Sequence, residues 1–262
     1  MSLPNIRSLI LDMDGVLWRD TQPIGELPAI FDRISSLGLR VLLATNNATR
    51  SVSSYLEKLA GFKVHLEPWQ IITSSEATAQ YLIHQFPDGG SVFVVGETGL
   101  VETLRERGFT HDPTNGSVLA VVAGMDRQLT YEKLAKATLL IRDGIPFVGT
   151  NPDRSFPTPA GLIPGAGAIL AALEAATDIP PTIIGKPGSI MYQQALERLD
   201  TLPEETLVVG DRLETDILGG QNVHCKTALV LSGVTNLKQG QAWTLAPDLI
   251  AKNLAAVLDA LK

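Results

Sequence analysis

The run "SLILDMDGVL" at residues 8 to 17 ends a greasy segment with two carboxylates, Asp12 and Asp14, separated by one residue. Like charges that close oppose each other's ionisation and call for a cation. Comparable polar residues follow other apolar runs. Thr45 and Asn46 come after "RVLLA", Lys186 after "TIIG", and Asp211, with Asp216 shortly beyond, after "TLVVG". Together these positions offer four carboxylates, one fixed cation and two neutral hydrogen-bonding side chains, with no Cys or His among them. An oxygen-rich set suits a hard cation, Mg²⁺ above all, which keeps several waters and takes a few carboxylates plus substrate phosphate; zinc is disfavoured. With Mg²⁺ and Lys186 neutralising charge and holding a phosphate in line, Asp12 can attack phosphorus. Asp14 would point from the loop to the leaving oxygen, protonate it, and afterwards deprotonate the water that hydrolyses the aspartyl phosphate.

Such residues meet only if the strands that end in them lie side by side. In open α/β sheets ligands sit beyond the carboxyl ends of the strands, where the strand order reverses. The chain has the required texture: short β-rich runs alternate with helix-period segments almost throughout, the pattern of an α/β fold with a parallel sheet. "SLILD" is expected to be the first strand, followed by a helix placing Leu27, Ile30, Ile34 and Leu37 on one face and stopping at Gly38. Arg40 to Thr45 gives a second buried strand. The next helix takes Ser51 as N-cap and Gly61 as terminator, and another is capped near Ser74 or Ser75. At "FPDGG" the texture changes, and the block from about 83 to 182 could stand as its own small α/β unit. The core would then comprise residues 1–82 and 183–262, closing with a helix around "LIAKNLAAVLDALK".

Composition narrows the partners. The 262 residues are 45% hydrophobic and 19% charged, enough to bury a core and too apolar for disorder. A net charge of −7 argues against nucleic acid. The single cysteine, Cys225, allows neither an intrachain disulfide nor a cysteine-built zinc site and fits a cytoplasmic setting. The start "MSLPNIRSLILDMDG" lacks the layout of a signal peptide, and no apolar stretch approaches the ~20 residues of a membrane span.

On these residues the chain resembles the haloacid dehalogenase (HAD) superfamily of aspartate-nucleophile phosphotransferases. "DMDGVL", "ATNN", "GKP" and "GDRLETD" look like its four motifs, in order and each after an apolar strand. "DMDGVLW", "TNNATRS", "TNPD", "PGAGA", "GKPG" and "GDRLETDI" are similar to the NagD-like or 4-nitrophenylphosphatase branch. The resemblance implies a doubly wound, Rossmann-like core with a smaller type C2 α/β cap inserted at residues 83–182. It implies that Asp12 is nucleophile and Mg²⁺ ligand, and that Asp14 is the acid/base, also lending its backbone carbonyl to the metal. Thr45 and Asn46 would hydrogen-bond the phosphate, and Lys186 would bridge it to the nucleophile. Asp211 would ligate Mg²⁺, and Asp216 would hold the metal or its waters. An Asp at position 14 favours phosphoester chemistry over dehalogenation. The implied substrate is a small phosphorylated metabolite, and an exposed cap face could pair two subunits as a homodimer.

Blander readings stand beside these. A DxD after a strand can be only a capped turn, Lys186 a solvated side chain, and Thr45 with Asn46 a cap. "GAGAIL" lacks the third glycine of a dinucleotide loop, having Leu170 there, and no proper strand is expected before it, so helix N-cap geometry is the better reading. "IIGKPG" is no P-loop, because Pro180 and Pro187 occupy its first-glycine and Ser/Thr positions. His65, His84, His111 and His224 have no metal-ligand spacing. Trp18 could line an entrance or simply pack, and Asn151 or Asp153 could reach substrate or merely form a turn. Two rivals share the acidic pocket: a receiver-like phosphoacceptor or phosphometabolite-binding module without turnover, and a phosphotransferase passing the phosphoryl group to a sugar.

Overall fold

The computed structural model describes residues 3, 5–111, 117–158 and 160–261, so part of the N-terminal stretch considered above lies outside them. The chain divides into two compact units. One comprises Met1–Thr45, Val52–Ile72 and Pro187–Lys262, the other Asn46–Ser51 and Thr73–Lys186.

The first unit is built on a six-stranded sheet in the order Leu249–Ala251, Lys226–Val230, Thr206–Gly210, Ser8–Leu11, Arg40–Thr45, Ile71–Thr73. The first five of these strands run parallel. Ser8–Leu11 is buried at every position, as a strand covered on both faces must be, and its near-continuous apolar sequence follows from that. Register is set by Leu11 opposite Val209 on one side and Leu43 on the other. All three are fully buried, and each such side chain contributes about 1.5–3 kcal/mol. Chain order runs outward from Ser8–Leu11 in one direction and then, after Thr206–Gly210, in the other. The order therefore reverses between these two strands, whose ends carry Asp12 and Asp211.

Helix Leu27–Ser36 buries Leu27, Ile30 and Ile34, and Gly38 follows its end at φ +68°. Helix Val52–Gly61 departs from expectation at its end: the left-handed residue is Lys63, at φ +59°, so Gly61 is simply its last helical residue. The cap of helix Ser74–Gln85 is Thr73, whose hydroxyl accepts from the Glu76 N–H at 3.2 Å. Ser74 and Ser75 instead donate to the carbonyls of Asn46 and Ala48. The expected C-terminal helix divides into the edge strand Leu249–Ala251 and helix Leu254–Asp259, capped by Asn253. Three residues of this segment are strand because Ala228 to Val230 offer them a ladder.

The second unit holds a five-stranded sheet in the order Thr182–Ile183, Phe147–Gly149, Val121–Ala123, Gly90–Val95, Phe109–His111, all parallel. Its strand order reverses between Gly90–Val95 and Val121–Ala123. An antiparallel hairpin, Ser155–Thr158 with Gly161–Pro164, precedes helix Ala166–Thr177. A strand does precede "GAGAIL", contrary to the sequence reading, but it is half of an isolated hairpin. Gly165 is the helix N-cap, and a Cβ on Gly165 or Gly167 would run into the backbone carbonyls of Asp153 or Pro152, so these glycines serve close packing. No helix among the described residues is long and apolar enough to cross a membrane.

Candidate active site

At the reversal point of the first unit, Asp12, Asp211 and Asp216 each present an oxygen, and these oxygens lie within 4.8 Å of one another. Asp211 and Asp216 are 1% exposed. Three elements deliver them. Asp12 continues Ser8–Leu11, its N–H still bonded to the Val209 carbonyl at 2.9 Å. Asp211 follows Thr206–Gly210. Asp216 lies on the π-turn Leu213–Ile217, where Ile217 N–H bonds the Arg212 carbonyl five residues back, and one Asp216 oxygen accepts from the Arg212 N–H at 3.1 Å. A wide turn of this kind is common at functional sites. Glycines make the room: a Cβ on Gly210 would meet the Asp216 side chain, and one on Gly15 or Gly233 would meet the Asp211 carboxylate. Gly15 also sits at φ +87°. The Val234 N–H fixes Asp211 Oδ2 at 2.7 Å, and the Ser232 hydroxyl donates to the Gly15 carbonyl at 2.7 Å, joining that loop to the turn after Asp14. Gathering carboxylates in a buried place is costly without a cation, and an oxygen-only donor set fits Mg²⁺.

Asp14 is exposed, and its Oδ1 accepts from the indole N–H of the fully buried Trp18 at 2.9 Å. Thr45, 4% exposed, ends the strand beside that of Asp12 and reaches the same edge of the sheet. Asn46 and Lys186 belong to the second unit and are tied to each other. The Asn46 amide donates to the Lys186 carbonyl at 2.9 Å and its Oδ1 accepts the Lys186 N–H at 2.8 Å. Asp153 accepts from the same Asn46 amide, and Asn151 donates to the Asn46 carbonyl at 2.8 Å. Lys186 is 3% exposed. The Asn-Pro-Asp turn thus clamps Asn46, with Asp153 N–H on Asn151 Oδ1 closing the turn.

The sequence matches the haloacid dehalogenase-like hydrolase family over residues 9–110 and the HAD-hydrolase-like family over residues 183–257. It is 39% identical over 229 residues to the 5'-nucleotidase YutF of Bacillus subtilis, covering 87% of this chain and 88% of that protein. It is 38% identical over 248 residues to an acid sugar phosphatase of Staphylococcus aureus, covering 95% of each. The chain belongs to the haloacid dehalogenase-like hydrolases. The p-nitrophenyl phosphatase from Archaeoglobus fulgidus superposes with a TM-score of 0.92 at 32% identity, covering 98% of this chain and all of that one. This haloacid dehalogenase-like protein is an enzyme, a phosphatase of its family, and the expected α/β Rossmann-like fold and branch hold.

A second polar concentration in this phosphatase lies within the second unit. A cavity of about 520 Å³ opens beyond the strand ends Val95 and Ala123, with Glu97, Asp126, Arg127, Lys133, His111 and Thr49 around it. Arg127 grips Glu97 through two nitrogens, Nη2 lying 2.7 Å from Oε2, and holds that carboxyl below its ordinary range against the opposing effect of burial. Lys133 lies 2.7 Å from Asp126, whose side chain is 1% exposed. Cys225 is buried, and burial pushes its thiol up to about 12, so it is no nucleophile at neutral pH. The sequence reading did not select the Val234 N–H, Ser232 or the glycines at 210 and 233. The signal for Ser232, Gly233 and Val234 is the small-residue pair "SG" one residue beyond the strand Lys226–Val230, and that for Gly210 is its place directly before Asp211.

Proposed function

We propose that this phosphatase is a Mg²⁺-dependent phosphomonoesterase that hydrolyses small phosphorylated metabolites through an aspartyl-phosphate intermediate. The observation that carries the reading is the meeting of Asp12, Asp211 and Asp216 at the point where the strand order reverses. Asp12, Asp211 and Asp216, with the Asp14 carbonyl, would hold Mg²⁺, which supplies charge neutralisation and alignment of the phosphate. Asp12 attacks phosphorus through a carboxylate oxygen, with Thr45 and Asn46 hydrogen-bonding the phosphate and Lys186 offsetting its charge. Asp14 gives a proton to the leaving oxygen and later takes one from the hydrolytic water. The segment from about 83 to 182 serves as the cap that excludes bulk water and selects the leaving group. The names of the relatives put nucleoside monophosphates and sugar phosphates first in a substrate panel. The single cysteine fits work in the cytoplasm.

Turnover of 4-nitrophenyl phosphate tests the reading. EDTA should abolish it and Mg²⁺ restore it, and Asp12→Asn should lower it by about 10³-fold or more. Turnover surviving in the Asn variant, with mass spectrometry showing no deamidation to Asp, overturns the nucleophile assignment.

A further inference from the structure

Asp14 is exposed on a loop, where a carboxylate is ordinarily free to turn, yet one of its oxygens is anchored. The anchor is the indole N–H of Trp18, 2.9 Å from Oδ1. Trp18 is fully buried, and its ring has one polar atom, which a buried indole must satisfy. Here that donor goes to the side chain proposed to move the proton. The intervening turn is tight: Gly15 N–H bonds the Trp18 carbonyl at 2.7 Å and Leu17 N–H the Met13 carbonyl at 2.8 Å, so carboxylate and indole belong to one closed loop. The ring is held from outside that loop as well. The Lys58 ammonium lies 3.9 Å from its centroid while donating to the Asp20 carbonyl at 2.8 Å, and Phe62 packs with ring centroids 6.0 Å apart. A cation over the face draws electron density from the indole and makes its N–H a better donor.

We propose that Trp18 is a positioning residue for the leaving-group proton: by donating to Asp14 Oδ1, it makes Oδ2 the oxygen that carries and delivers that proton. A proton on Oδ1 would oppose the indole hydrogen, whereas one on Oδ2 leaves the hydrogen bond intact. As the bond from phosphorus to the leaving oxygen breaks and the Asp12–phosphorus bond forms, the Oδ2 proton passes to the leaving oxygen. The inference rests on Asp14 being the acid and base.

The readout is kcat/KM, which covers steps through the first phosphoryl transfer. It is measured with 4-nitrophenyl phosphate, whose leaving group needs no proton, and with a sugar phosphate, whose leaving group does. Trp18→Phe should lower the sugar-phosphate value by about tenfold or more and the 4-nitrophenyl value by no more than about twofold. In an Asp14→Asn background it should add no further loss. Replacing Trp18 by 3-benzothienylalanine, which keeps the ring outline with sulfur in place of N–H, should reproduce the selective loss and carries the test if the Phe variant does not fold. Equal losses on both substrates, or none, in a folded variant overturn the positioning role while leaving Asp14 in place. Unchanged sugar-phosphate turnover in Asp14→Asn alone overturns the acid assignment itself, and the positioning role with it.

Discussion

Two strand ends in this phosphatase share almost the same sequence, Phe93-Val-Val-Gly-Glu97 in the second unit and Leu207-Val-Val-Gly-Asp211 in the first. Both strands are parallel to their neighbours and buried at their carboxyl ends, and both adjoin the reversal of strand order in their sheet. What differs is what meets the carboxylate. The space beside Gly96 is taken by the Leu100 side chain, and Glu97 faces Arg127. The space beside Gly210 is taken by Asp216, so there carboxylate meets carboxylate. A polar residue beyond a strand is therefore not in itself a sign of catalysis. An acid facing a base is a closed account, whereas acids brought together call for a cation.

The difference can be broken from either side. Asp211→Asn should lower turnover at least about 100-fold and abolish the stabilisation that Mg²⁺ gives the wild type, which reaches about 2.7 kcal/mol at a hundred times Kd. Calorimetry with and without Mg²⁺ reads the loss of stabilisation, and steady-state assays read the loss of turnover. Asp126→Asn should behave in the opposite way. It leaves Lys133 without its carboxylate, costs about 1–3 kcal/mol of stability, and keeps both the Mg²⁺ response and the turnover of the folded enzyme within about twofold. The smallest effect concerns Glu97. Its carboxyl is held low by Arg127, so its contribution is present above the usual carboxylate range and fades as pH falls through the lowered value. The Arg127 side chain is 64% exposed, so Glu97→Gln should cost under about 1 kcal/mol at pH 7. That cost should shrink toward pH 4 and in high salt in thermal melts.

Much of the first unit was legible because its strands are fully buried apolar runs with abrupt polar ends. Asp12, Asp211 and Asp216 stood out for that reason, and the structure brings them together. Asn46 and Lys186 also stood out and are bonded to each other. Several shorter elements were not legible. Leu249–Ala251 is a strand only because a neighbour offers it a ladder, and its sequence merges with the helix that follows. Phe109–His111 is likewise a three-residue strand, paired with Gly90–Val92 well before it in the chain, whereas Ser155–Thr158 and Gly161–Pro164 are four-residue strands that pair only with each other. Capping by Thr73 rather than Ser74 reflects competition among three adjacent hydroxyls, two of which are drawn to the carbonyls of Asn46 and Ala48. The bond from Trp18 to Asp14 depends on a turn that sequence spacing does not specify.

The most direct measurement is an anomalous difference map from crystals grown with Mn²⁺ standing in for Mg²⁺. A single strong peak within coordination distance of Asp12, Asp211 and Asp216 is the expected result. A map with no peak there, or with the ion beside Glu97 and Asp126 instead, would contradict the assignment of the metal site.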